Sequence, residues 1–330
     1  MGQSSCSSCG CGKEIEVVSE AVEEETTEVF SKPDPVKCYM SPHDDAARVI
    51  QACWRGYQCR KLYSHLRRLE RTNEIYFTQE EGLETLSKKA PPLDRVQKKA
   101  YQFKTGAIYT GQWRGGFRDG WGVMQWPDGA RYEGEWSDNK AHGYGKFFHK
   151  NGDMYEGEWR NDKAHGKGTF IHSNSARYEG EWRDDLQDGH GVETWPDGSK
   201  YTGYFRYGKK HGFGVYEWAD GSKYVGQWIS HKICGKGLYT WPDGRSFEGD
   251  WLNNVMHGTG CYKWKDGRQY NGEYRNGLKH GHGTYRWADG KVYTGGWRTG
   301  KQHGDGELTL PDGTHKQGHW VEGKLVRWVV

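Results

Sequence analysis

Gly120-Trp-Gly122-Val123-Met124-Gln125-Trp126-Pro127-Asp128-Gly129-Ala-Arg131-Tyr132-Glu133-Gly134-Glu135-Trp136 occupies residues 120–136. Gly120, Gly122, Met124 and Trp126 share one parity, and so do Tyr132, Gly134 and Trp136. A period of two places each set on one face of a strand. Between them, Pro127 presets φ for a turn, Asp128 caps it and Gly129 accepts the left-handed conformation. A two-residue Asp-Gly loop would pair Trp126 with Arg131 and send Tyr132 to the opposite face. A three-residue Pro-Asp-Gly loop pairs Met124 with Tyr132 and Gly122 with Gly134, keeping the aromatics together. The sequence therefore predicts a hairpin closed by a type I turn with a G1 bulge.

The unit repeats. Tyr109-Thr-Gly111-Gln-Trp113 returns at Tyr132, Tyr155, Tyr178, Tyr201, Tyr224, Phe247, Tyr270 and Tyr293, each 23 residues on, and ends in a degenerate copy, Lys316-Gln-Gly318-His-Trp320. The pair Gly120-x-Gly122 returns at the same step from Gly143 to Gly304. Ten such hairpins laid side by side make one mainly β, single-layer antiparallel meander, roughly 95 Å long at about 4.8 Å per strand. Glycines facing each other in mid-strand weaken a sheet; here they are expected to leave room for rings from neighbouring strands. The other face, carrying Glu133, Glu135, Val123, Gln125 and Arg131, reads as solvated.

Composition agrees with a thin aromatic layer. Glycine supplies 49 residues and tryptophan 17, while the hydrophobic share is 34%, too little aliphatic material for a thick core. A net charge of +3 is too small for a general nucleic-acid surface, so no nucleic-acid partner is expected. No apolar run approaches the roughly 18 residues of a membrane span, and no secretory signal peptide is read. Six of the eight cysteines precede residue 60, which is no disulfide framework and implies a reducing, intracellular compartment.

Two columns invite a chemical reading. His142, His165, His211, His257, His280 and His303 precede the glycine pair. Equivalent positions lie about 9.5 Å apart, too far for neighbours to share one ion whose ligands must be within roughly 4 Å. They are expected to cap backbone carbonyls or stack on rings, and no metal or cofactor is implied. Asp128, Asp197, Asp220, Asp243, Asp266, Asp289 and Asp312 have a turn role. No phosphate loop and no Ser-His-Asp or Cys-His signature stands out, so no catalytic residues are assigned. Lys140, Lys163, Lys209, Lys210, Lys232, Lys279 and Lys301 lie in the loops between hairpins. They read either as a solvated fringe or as a basic edge for anionic lipid or an acidic partner.

Tyr-x-Gly-x-Trp followed by Gly-x-Gly resembles the MORN repeat (membrane occupation and recognition nexus) over about residues 106–328. The resemblance implies an extended, twisted sheet used as a scaffold, sometimes at membranes or in cilia. Departures are local: Asn174-Ser175 for Asp-Gly, Phe205 and Tyr274 for tryptophan, Lys316 for tyrosine.

Before the repeats, Ala46, Val49, Ile50, Cys53, Trp54 and Tyr57 recur at helical spacing among Arg48, Arg55, Arg60, Lys61, Arg67, Arg68 and Arg71. Ile50-Gln51-Ala-Cys-Trp54-Arg55-Gly56-Tyr-Gln-Cys-Arg60-Lys-Leu-Tyr63 resembles an IQ motif, the helical target of calmodulin and related EF-hand light chains. That resemblance implies helix-in-groove docking, with Ile50 and Trp54 entering apolar lobes and the arginines meeting acidic rims. The bland alternative is an amphipathic helix packed on the sheet. Met1-Gly2-Gln-Ser-Ser-Cys6-Ser-Ser-Cys9-Gly-Cys11 resembles dual-acylation sequences, which implies myristate on Gly2 and palmitate on Cys6, Cys9 or Cys11. Cys6 departs from the strict pattern, and a disordered tail is the alternative.

The chain thus divides into a disordered tail (1–42), an IQ helix (43–72), a linker (73–100) and the repeat sheet (101–330). The expected function is a non-enzymatic scaffold tethering a calmodulin-like protein to an assembly at the cytoplasmic face of a membrane. The rival is a building block of a cilium, axoneme or other cytoskeletal complex holding a permanent light chain. The partner of the sheet itself is not legible.

Overall fold

The computed structural model describes residues 76–77 and 93–329. The expected tail, lipidation sites and IQ helix fall outside them. From Ile108–Arg114 to Lys324–Trp328, every strand pairs antiparallel with the next in the chain, giving one uninterrupted meander. Seven-residue strands such as Arg131–Ser137 alternate with nine-residue strands such as Lys140–Phe148.

The register within a repeat is the one expected. Gly122 faces Gly134 and Met124 faces Tyr132. At the tip, Gly129 N–H donates to Trp126 O at 3.0 Å with Gly129 at φ +93°, and Trp126 N–H donates to Ala130 O at 2.9 Å. Asp128 Oδ1 accepts the Ala130 N–H at 3.1 Å, and Asp197, Asp220, Asp243, Asp266, Asp289 and Asp312 repeat that bond. The aspartates are turn residues.

The link between repeats is tighter than the sequence suggested. Asp138 and Asn139, at φ +52° and +70°, form a two-residue type I′ turn between Ser137 and Lys140. Gly134 pairs with Gly145 and Trp136 with Ala141, so Glu135 alone faces His142, Gly143 and Tyr144. This bulge absorbs the two extra residues of the longer strand. Gly143 takes φ +74° there, and Glu135 Oε1 accepts the Tyr144 N–H at 3.1 Å. Glu158, Glu181, Asp250 and Glu273 do the same in their repeats. These acids, read as merely solvated, close the bulge.

Part of the expected linker belongs to the folded unit. Val96–Gln97 pairs with Trp113 and Gln112, extending the sheet at its first edge. Tyr76 and Phe77 pack on the aromatic face, with Phe77 only 5% exposed.

Candidate binding groove

One face of the sheet is built on glycine. Gly111, Gly122, Gly134, Gly145 and Gly157 face one another across successive strands, and the row continues unbroken to Gly318. Without side chains, this row is a trough in which rings lie flat. The ring over each pair comes from the same strand rather than a neighbour. Tyr132 lies across Gly134 and Gly145, and its hydroxyl donates to Glu135 O at 2.9 Å. Burial pushes the Tyr132 hydroxyl far above the usual phenol range, with Asp162 and Glu135 adding to it, so it stays a donor. At the thinner end, Tyr293 is pushed up to about 12 by burial.

Tryptophan ties each repeat to the one before. Trp136 Nε1 donates to Gly122 O and Trp159 Nε1 to Gly145 O, both at 3.2 Å. Each tyrosine is held edge-on between two tryptophans: Tyr132 lies 5.1 Å from Trp136 at 86° and 5.2 Å from Trp159 at 84°. The ladder survives Phe205 and Tyr274, whose rings stand 5.0 Å from Tyr178 and 5.1 Å from Phe247. Trp113 has no repeat before it, and its buried N–H finds no acceptor among the described residues.

A second row of rings flanks the first, so that each repeat presents a socket. Around Lys279 Nζ stand Trp264, Tyr270, Tyr285 and Trp297, at 5.2, 5.4, 4.6 and 5.1 Å from the ring centres. Lys210 fills the corresponding socket three repeats earlier, 4.8 Å from Trp195 and 5.0 Å from Tyr201, and pairs with the buried Glu193 at 2.6 Å. Cation–π attraction and the carboxylate compensate for an ammonium that burial would otherwise expel.

These two lysines are corrections to the basic edge. Successive strand residues point to opposite faces, so Lys210 turns inward beside the outward Lys209, and Lys279 turns inward beside Leu278. Lys140, Lys163, Lys209, Lys232 and Lys301 open strands beside type I′ turns. In the histidine column, Nδ1 of His257 and of His303 faces the backbone N–H of Asn276 and of Glu322 at 3.5 Å. These two imidazoles thus cap the turn of the next repeat by accepting, where capping of a carbonyl or stacking on a ring was expected. No three His, Cys, Asp or Glu side chains gather as a metal would need among the described residues.

A model of the MORN repeat matches residues 109–131, 132–154, 155–177, 178–200, 201–223, 224–244, 247–267, 270–292 and 293–315. The chain belongs to the MORN repeat family. Nine copies are matched where ten were expected. The tenth MORN-like hairpin carries the exposed Lys316 in place of the ladder tyrosine, and its last strand, Lys324–Trp328, lacks the glycine pair. A second model, the IQ calmodulin-binding motif, matches residues 44–64. MORN and IQ are non-catalytic domain types. No curated protein matches the chain.

Among solved structures, the TCP10 domain of Danio rerio CPAP in complex with a peptide of Danio rerio STIL is 14% identical, with 72% of this chain and 99% of that one covered and a TM-score of 0.39. The same domain without the peptide is 15% identical, covering 63% and 98%, with a TM-score of 0.36. A virginiamycin B lyase from Staphylococcus aureus is 9% identical, covering 69% and 88%, at 0.15. Likenesses this weak carry no argument.

Proposed function

We propose that the protein is a non-enzymatic scaffold in which a calmodulin-type EF-hand protein binds Ile50, Gln51, Trp54, Arg55, Gly56, Arg60 and Tyr63 and is held beside a MORN sheet that docks further partners. The observation carrying this reading is the IQ match over residues 44–64, in a chain whose repeats build a sheet with one continuous aromatic face. Side chains of that kind supply large apolar contact with a fixed geometry, which suits docking rather than chemistry. Ile50 and Trp54 supply the apolar anchors and the arginines the charge that acidic EF-hand rims meet. In this reading Gly2, with Cys6, Cys9 and Cys11, carries lipids that place the assembly at the cytoplasmic face of a membrane.

The test is capture of the full chain on immobilised calmodulin, with and without calcium, for the wild type and for Ile50→Ala with Arg55→Ala. Retention of the wild type and loss of the double variant are expected. Equal retention of both would place binding elsewhere, and no retention of either would end the reading for calmodulin.

A further inference from the structure

The position that fills each socket is occupied, in chain order, by Arg118, Ala141, Ala164, Gln187, Lys210, Ile233, Met256, Lys279 and Gln302. Long side chains close their own sockets, as Lys279 does. Ala141 cannot, because its methyl group stops at the floor. The rings equivalent to those around Lys279 are Trp126, Tyr132, Phe147 and Trp159, each 138 residues earlier. Phe77 stands among these four, 5.4, 5.7, 5.8 and 5.8 Å away between ring centres. A residue far outside the repeats thus occupies the place that a lysine of the sheet occupies elsewhere.

Tyr76 fixes the pose. Trp126 Nε1 donates to Tyr76 O at 3.0 Å, and the Tyr76 hydroxyl donates to Asp128 Oδ2 at 2.7 Å. Asp128 is available because Ala130 follows it in the turn. At the equivalent turns Arg245 and Arg268 take Asp243 and Asp266 for themselves. Among the matched MORN copies, alanine stands at both the turn and socket positions only as Ala130 with Ala141. Ala164 is equally short, but His149 replaces the tryptophan there, and Asn151 spends its amide on Asp153 at 2.9 Å.

We propose that the Ala141 socket, with Trp126 and Asp128, is a specific docking site for a Tyr-Phe pair, and that its occupant is this chain's own Tyr76-Phe77, in cis. The dock fastens the segment that follows residues 44–64 to the N-terminal MORN repeats. Tyr76 lies twelve residues beyond residue 64, a reach of at most roughly 40 Å when extended. Any protein held on the IQ segment is therefore kept within that distance of the groove. This consequence rests on the reading under Proposed function; the dock itself does not.

Hydrogen exchange of the full-length protein tests the dock. In the wild type, the amides around Tyr76 and Phe77 are expected to be protected, at a level independent of protein concentration. Phe77→Asp is expected to raise their exchange at least roughly ten-fold. Ala141→Lys should do the same, since it places in this socket the side chain that the fold already carries at Lys210 and Lys279. Lys279→Ala should leave that segment unchanged. A synthetic peptide of residues 70–83 should bind the Phe77→Asp chain one to one and the Ala141→Lys chain not at all. Unchanged protection in Phe77→Asp, or equal peptide binding by both variants, would overturn the proposal. Protection that rises with concentration would overturn the cis arrangement and assign the socket to a second copy. Should Ala141→Lys disturb the sheet, seen by circular dichroism, the Phe77→Asp exchange and peptide binding still decide.

Discussion

Lys210 Nζ lies 2.6 Å from Glu193 Oε2, and both side chains are buried in the aromatic groove. Two repeats on, the same positions hold Tyr239 and Met256. Removing one partner strands a charge, so Glu193→Gln or Lys210→Met alone should cost about 3 kcal/mol. The double change Glu193→Tyr with Lys210→Met restores an apolar pair that this sheet already packs, and should be neutral or stabilising. Urea unfolding of the three variants checks the order; a double variant worse than either single would contradict it.

The glycine row predicts a sharp contrast between two alanine substitutions. At Gly134 a Cβ would lie 2.5 Å from Gly145 Cα and 2.6 Å from the Tyr132 hydroxyl, displacing the ring that covers the pair. At Gly129 nothing lies within 4 Å, and only the positive φ opposes a side chain. Gly134→Ala should therefore cost roughly 3 kcal/mol, and Gly129→Ala about 1 kcal/mol. Equal losses would mean that close approach of the tyrosine is not what the row provides.

Acid should weaken the second repeat through His149. Burial lowers its pKa to about 4, against an opposing pull from Asp153. The unfolded imidazole, near 6.5, binds a proton that the folded one refuses, so stability present above that pH is lost as pH falls from about 6.5 toward 4. The loss is at most about 3 kcal/mol. His149→Phe should flatten the fall of the melting midpoint between pH 7 and pH 5. An unchanged slope would place the acid sensitivity elsewhere.

Hairpins, register and ring-bearing face were legible because Pro127-Asp128-Gly129 admits one loop that keeps Met124, Tyr132 and Trp136 on the same side. The type I′ link was not, since Asp138-Asn139 carries no glycine and its φ values emerge only from the pairing of Ser137 with Lys140. Nor was the role of Glu135, which depends on a bulge two strands of unequal length create. Parity was enough to turn Lys210 and Lys279 inward, yet loop position alone had placed them on the edge. The docking of Phe77 was hidden for a different reason: Ala141 is informative only once Lys279 is seen to fill the same place.

At the N-terminus, one myristoyl chain gives an association constant near roughly 10⁴ M⁻¹, so stable anchoring requires a second lipid. Fractionation of cells should find Gly2→Ala released to the cytosol at least as fully as Cys6, Cys9 and Cys11 changed together to serine. If both stay membrane-bound, the row opened by Lys140 and Lys163 becomes the better anchor. A wild type left in the detergent-resistant skeleton would favour a cytoskeletal role.

The most direct measurement is calorimetric titration of the full-length protein with calmodulin, alongside the Ile50→Ala, Arg55→Ala variant. One molecule bound per chain is expected for the wild type, with binding lost in the variant while its strand signal by circular dichroism is unchanged. Heat of binding that persists undiminished in the variant, or is absent from the wild type with and without calcium, would contradict a scaffold that carries an EF-hand protein on its IQ segment.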